Sequence, residues 1–235
     1  MERWYPPVGA RSSLGSTPGE PYHVCLMADP PIDRSRWREI LRTATAEAGA
    51  VDLAIYRAVA QTPTPELDRG VPRLSHAADR SVLWFVVAAA LFVLGGRSGR
   101  RAARDGIVAI AMASATVNQG IKRIAVRARP VRDEQTLPAK RWVRMPLSTS
   151  FPSGHTASAF AFATATGEHL PVLWLPLRAL ALGVGYSRVH TGVHYPGDVV
   201  AGAVIGTACG WTVIGATRRR DRKEAAAAGT AVRRP

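Results

Sequence analysis

The sequence predicts an all-α fold, a membrane-embedded helical bundle with five or six transmembrane helices. Three observations predict it. Five apolar runs lie between Ser81 and Thr217, and they leave little polar helix surface to cover a bundle in water. Alanine and glycine are frequent in these runs, as expected where spanning helices pack closely. No strand-like alternation, internal repeat or heptad pattern competes with them.

Along the chain, residues 1–35 form a leader expected to be disordered, since most of it is rich in proline, glycine and serine and shows no period. No apolar core follows the first charges, so no signal peptide is expected, and Met27 is an alternative start. Residues 36–61 predict an amphipathic helix, or two, with Ile40, Leu41, Ala44, Ala48, Val51, Ile55, Val59 and Ala60 at helical spacing. Whether this segment spans a membrane or lies on it stays open. Thr62-Pro63-Thr64-Pro65 ends it.

The runs are Ser81–Gly96, Gly106–Ile121, Thr156–Gly167, Leu170–Ser187 and Val199–Thr217. Only the last reaches the ~18–20 residues of a spanning helix. Pro171 and Pro176 predict that the fourth helix starts around Leu177, with Arg178 snorkelling at its end. A segment 36–217 is therefore expected to be the membrane domain and 218–235 a basic, solvated cytoplasmic tail.

The formal net charge of +14 is unevenly placed: residues 1–80 balance ten basic against ten acidic groups, and the excess lies beyond them. A nucleic-acid binder can show the same balance, but the apolar runs favour a membrane. With five spans, the expected loop Arg97–Gly106 and the tail Arg218–Lys223 share one side, which the positive-inside rule makes cytoplasmic. Segments 122–155 and 187–198 then share the outer face. Cys25 and Cys209 offer neither a disulfide framework nor metal-type spacing.

Three clusters fall on that outer face. His194 and Asp198 are four apart, and a carboxylate on one imidazole nitrogen leaves the other free to attack; the alternative is a helix-capping aspartate beside a packed histidine. Pro152-Ser153-Gly154-His155 offers amides at a helix start, where anions bind, or an ordinary turn. Lys122, Arg129 and Arg188 can grip phosphate oxygens. For Arg123, Arg127, Arg132, Lys140, Arg141 and Arg144 a solvated basic loop is the expectation. His190 is a further candidate for lining the site, while His23, His76 and His169 are expected to be incidental. Trp142 is expected at the interface, and Trp84, Trp174 and Trp211 as anchors or packing.

In this order and spacing the clusters resemble the three-part signature of the type 2 phosphatidic acid phosphatase family, which shares its site with vanadium haloperoxidases. Lys122…Arg129-Pro130 matches Lys-x6-Arg-Pro, Pro152-Ser153-Gly154-His155 matches the second part, and Ser187-Arg188…His194…Asp198 matches Ser-Arg-x5-His-x3-Asp. The resemblance spans roughly residues 68–216, and the stretch Leu74–Asp79 also looks like actinobacterial members. It implies an active site at the outer membrane–water interface that hydrolyses a polyprenyl or glycerol lipid phosphate or diphosphate. His194 would be the nucleophile, Asp198 its orienter and His155 the acid. Lys122, Arg129, Ser153, Gly154 and Arg188 would bind the phosphoryl oxygens. It implies no metal and no cofactor, a lipid bilayer and a lipid phosphate as partners, and no nucleic acid; nothing sets an oligomeric state. A vanadate-dependent haloperoxidase and a non-enzymatic basic membrane protein are the alternatives.

Overall fold

The computed structural model describes residues 34–133, 135 and 137–232. The expectations for residues 1–33, Met27 among them, and for 233–235 lie outside the described residues. The chain divides after Arg42 into two units. The described part of the first is the beginning of α1 (Arg34–Gln61), with Trp37, Ile40 and Leu41 exposed. The helical segment expected from 36 to 61 is thus one helix, starting inside the expected leader and broken at the Pro-rich stretch.

The second unit carries the rest of α1, then α2 (Leu67–Ala77), α3 (Val82–Leu94), α4 (Gly96–Ser114), α5 (Gly154–His169), α6 (Trp174–His190) and α7 (Pro196–Val232). No strand occurs among the described residues. Helix α5 is the axis of the bundle: every residue from Thr156 to Gly167 is buried, and α4, α6 and α7 pack around it. Its alanines leave room for close approach. On α7, Gly202, Gly206 and Gly210 face α5 at four-residue intervals. A Cβ on Gly206 would stand 2.1 Å from the Ala157 carbonyl oxygen. That closeness lets the Ser153 amide donate to the Asp198 carbonyl at 2.9 Å, tying the start of α5 to the first turn of α7.

Gly206→Ala is therefore expected to lower the melting temperature in detergent. The gain in helix propensity, about 1 kcal/mol, is outweighed by a backbone clash costing about 1–3 kcal/mol or more. Gly215→Ala, where a Cβ meets nothing within 4 Å, is the control and should melt no lower than wild type.

The other surface of the bundle is apolar. Phe85, Val86, Phe92, Val93 and Leu94 on α3, Val108 on α4, Leu182 on α6, and Val204 and Trp211 on α7 are exposed. So large an apolar surface suits lipid better than water. Among the described residues α7 alone is long and apolar enough to cross a membrane by itself; α2 and α3 together pass the same test as a pair bent by 61°.

Several boundaries differ from expectation. The Arg97–Gly106 segment is helical, not a loop. Arginine is a good helix former, and the only break is the tight turn at Gly95-Gly96, where Gly96 has φ +59°. The second apolar run ends in a widened, π-type turn, Ala115–Gly120, and a short 3-10 turn, Ile121–Arg123. Helix α6 starts at Trp174 because Pro176 is tolerated within the first turn. Arg178 does not reach for solvent: it donates to Thr164 Oγ1 at 3.1 Å and lies over Phe160 and Trp174. The basic tail continues α7 as helix to Val232, its side chains exposed as far as Ala228. Trp84 is core, packed on Phe162, whereas Trp174 and Trp211 face outward.

Candidate active site

Chain geometry brings the three clusters to one end of the bundle. Lys122 follows α4, Arg129 lies in the irregular segment after it, Gly154 and His155 open α5, Arg188 ends α6, and His194 precedes α7. A cavity of about 400 Å³ is lined at its polar end by Lys122, Arg129, Ser148, Gly154, His155 and His194. Its other wall is Phe85, Ile107, Ile110 and Ala111, from α3 and α4.

His194 is almost wholly buried. Its Nδ1 lies 3.3 Å from Asp198 Oδ2. A carboxylate only accepts, so Nδ1 carries the proton and Nε2 keeps its lone pair. Arg129 Nη1 approaches that nitrogen at 3.3 Å. Burial, against the pull of Asp198 and with Arg129 and Arg188 adding to it, holds the imidazole pKa down to about 3. The ring is thus neutral at physiological pH, the form that can attack. Asp198 Oδ2 also accepts from the Tyr195 amide at 2.9 Å and from the Ser150 hydroxyl.

Arg129 is fixed by the carbonyls of Val193 at 2.6 Å and Ser148 at 2.9 Å. Lys122 Nζ donates to Ser148 Oγ at 3.0 Å, and Arg129 Nη2 reaches the same hydroxyl at 3.3 Å. Ser148 therefore lies between the two cations. Burial, then the neighbouring Arg129, lowers the Lys122 pKa to about 8, with Asp198 opposing. Two expected ligands do not line the cavity. Ser153 turns its Oγ to the Thr156 amide and hydroxyl and caps α5. Arg188 is buried, donates to Ser75 Oγ at 2.5 Å, and keeps Nε unpartnered.

Asp79 is a residue that the three motifs do not mark. It sits in a 3-10 turn between α2 and α3, where Arg80 and Ser81 have φ of 51° and 62°. This left-handed backbone costs roughly 1–2 kcal/mol per non-glycine residue. The turn brings Asp79 Oδ1 to 2.9 Å from His155 Nε2 and 3.7 Å from Arg188 Nη1.

The expected solvated loop is largely structural. Arg127 pairs with Asp198 and Asp52. Arg132 donates to the carbonyls of Val143 and Gly192. Arg141 is buried on Asp68 at 2.6 Å and on the carbonyls of Val59, Ala60 and Thr62. Lys140 also reaches Asp68; Arg123 and Arg144 are exposed as expected. His190 does not line the cavity: it is fully buried beside Thr64 and Asp68, at 3.2 and 3.3 Å. His169 is not incidental, since it bonds Asp105 at 2.8 Å and joins α5 to α4.

A family model described as the PAP2 superfamily matches residues 105–222, about half of the chain and all of the polar end of the cavity. The chain belongs to the PAP2 superfamily. Decaprenylphosphoryl-5-phosphoribose phosphatase of Mycobacterium tuberculosis is 36% identical over 161 residues, covering 64% of this chain and 81% of the relative. The crystal structure of Aquifex aeolicus LpxE superposes with a TM-score of 0.56 at 31% identity, covering 69% of this chain and 94% of that one. A transmembrane PAP2 type phosphatidylglycerolphosphate phosphatase from Bacillus subtilis shares the fold, with a TM-score of 0.58 at 24% identity over 79% of this PAP2 chain and 95% of its own.

One pH dependence follows from Lys122. Its ammonium is charged below about pH 8 and neutral above. A neutral amine holds a phosphoryl oxygen poorly, so kcat/KM is expected to fall as pH rises through about 8. A bound phosphate dianion favours the ammonium, so kcat should hold to higher pH. Lys122→Arg should push the alkaline limb of kcat/KM upward. Paired pH–rate profiles of wild type and variant check this.

Proposed function

We propose that this PAP2 protein is an integral membrane lipid phosphatase that hydrolyses a phosphomonoester or diphosphate of a polyprenyl or glycerol lipid. One observation carries the proposal: a neutral, aspartate-oriented His194, whose unprotonated Nε2 accepts from Arg129, lines a cavity where Lys122, Arg129 and His155 converge. Nε2 attacks phosphorus in line, the P–N bond forms, and the bond to the lipid oxygen breaks as His155 protonates the leaving alkoxide. Water, giving its proton to His155, then cleaves the phosphohistidine and returns His194 neutral. Lys122 and Arg129 offset charge on the transferring oxygens, with the Gly154 amide at the start of α5 and Arg188 behind it. Ser153 contributes by holding that helix start.

The lipid class is supported by the apolar wall of the cavity, since Phe85 and Ile107 are exposed to the surroundings of the bundle and give a tail a way out. The named specificity of the mycobacterial relative favours a polyprenyl lipid. Topology supports a multi-pass plasma-membrane protein with its site outside. Helix α5 leads from His155 to the far end, roughly 24 Å away, where Arg218 pairs with Glu168 and Arg104 with Asp105. The arginines of early α4 and late α7 thus mark the end opposite the site, which the positive-inside rule makes cytoplasmic.

The test is phosphate release by the detergent-purified protein across polyprenyl phosphate, polyprenyl diphosphate, a phosphorylated polyprenyl sugar and phosphatidic acid, with tail-less sugar phosphates alongside. A clear preference for lipids is expected. Inactivity on every lipid, or preference for the tail-less compounds, would overturn it.

A further inference from the structure

We infer that Asp52 and Arg127 form a positioning pair that holds Asp198 and sets the charge it presents to His194. Arg127 Nη1 donates to Asp198 Oδ1 at 2.8 Å, and Nη2 donates to Asp52 Oδ2 at 2.5 Å. Asp52 Oδ1 in turn accepts from the amide of Gly197, the residue before Asp198, at 2.6 Å. Gly197 allows this approach, since a Cβ there would come within 3.0 Å of Asp52 Oδ2. The Arg127 guanidinium also lies 4.3 Å from the centre of the Tyr195 ring. Asp198 is fully buried and Asp52 nearly so.

Helix α1 delivers Asp52 in an unusual way. Asp52, Tyr56 and Ala60 are buried at four-residue spacing, whereas Val51 and Ile55 are exposed. The helix thus turns a carboxylate inward and apolar side chains outward. A buried charge is costly unless paired and hydrogen-bonded, and both oxygens of Asp52 are bonded to the two segments that hold Asp198.

The charge count gives the pair a purpose, and it rests on the phosphohistidine proposal above. When His194 is phosphorylated its imidazole becomes cationic, and Asp198 must stabilise that charge. Arg127 alone would neutralise Asp198. Two carboxylates sharing one guanidinium leave a net negative charge on the trio. Asp52 therefore leaves the trio net negative beside His194, while Arg127 holds Asp198 with its Oδ2 toward Nδ1.

The test uses Asp52→Asn, which keeps the shape and removes the charge. It is expected to slow phosphoenzyme formation in single turnovers and to lower kcat about tenfold, with KM within about twofold of wild type. Asp52→Glu should restore part of the rate. Combining Asp52→Asn with Arg127→Met should be no slower than Arg127→Met alone, because both act through Asp198. Wild-type kcat in Asp52→Asn, or a loss confined to KM or melting temperature, would overturn the inference. If Asp52→Asn does not survive extraction, Arg127→Lys carries the test: reduced kcat at unchanged KM supports the pair, and wild-type kcat overturns it. Failure of wild type itself to hydrolyse any lipid phosphate would instead remove the parent proposal.

Discussion

Replacing His194 by alanine is expected to lower turnover of the lipid phosphate by on the order of 10,000-fold or more, the scale seen when a nucleophile is removed from a cooperating set. The reason is geometric. His194 Nε2 is the unprotonated nitrogen at the polar end of the cavity, and its ring is held neutral by burial. Its partner makes a second, sharper expectation. Asp198→Asn keeps the Tyr195 amide contact feasible but can present an N–H toward Nδ1, which favours the wrong tautomer. A loss of roughly 1,000-fold is expected there, and the double variant should be no slower than His194→Ala alone. Rapid-quench experiments should find acid-labile, base-stable phosphate on wild type and none on His194→Ala. Retained activity with a labelled enzyme in that variant would place the nucleophile elsewhere.

The motif residues were legible because their chemistry depends on local spacing. A spacing of four from His194 to Asp198 suffices to let them meet once Pro196 opens a helix, and Pro-Ser-Gly-His marks the start of α5 from sequence alone. What could not be read was which charges pair across the fold. Arg127 and Arg141 look alike in a basic loop, and Asp52 and Asp68, which they pair with, lie 75 and 73 residues earlier. A signal was present. Residues 1–80 carry as many acids as bases, and two of the acids, Asp52 and Asp68, sit where the basic segment needs partners, while Asp79 meets His155 and Arg188. The boundary errors have a similar cause. Helices outlast the apolar runs where arginine and alanine continue them, as at the start of α4 and, with glutamate, at the end of α7. Ser153 is expected to bind phosphoryl oxygens, but its Oγ accepts from the Thr156 amide and hydroxyl, a competition that a motif does not reveal.

His155 should show a leaving-group signature rather than a uniform loss. His155→Gln is expected to lower kcat for a lipid substrate by about 100- to 10,000-fold, the range for removing a general acid. A lipid alkoxide is a poor leaving group and needs the proton. An aryl phosphate has a stable phenolate leaving group, so its first step should suffer far less. Dephosphorylation still needs His155 to take a proton from water, so with the aryl substrate the variant should accumulate more phosphohistidine, and hold it longer, than wild type does. Asp79 bears on the same step. Its carboxylate bonds His155 Nε2 at 2.9 Å and stands beside Arg188, so it favours a protonated His155 and restrains the arginine. Asp79→Asn should therefore slow the lipid substrate more than the aryl one, by a smaller factor than His155→Gln. The backbone strain at Arg80 and Ser81 is then the cost of carrying Asp79 into contact with the acid. Equal losses on both substrates would make Asp79 a packing residue of the α2–α3 turn; unequal losses would place it in the proton-transfer step with His155.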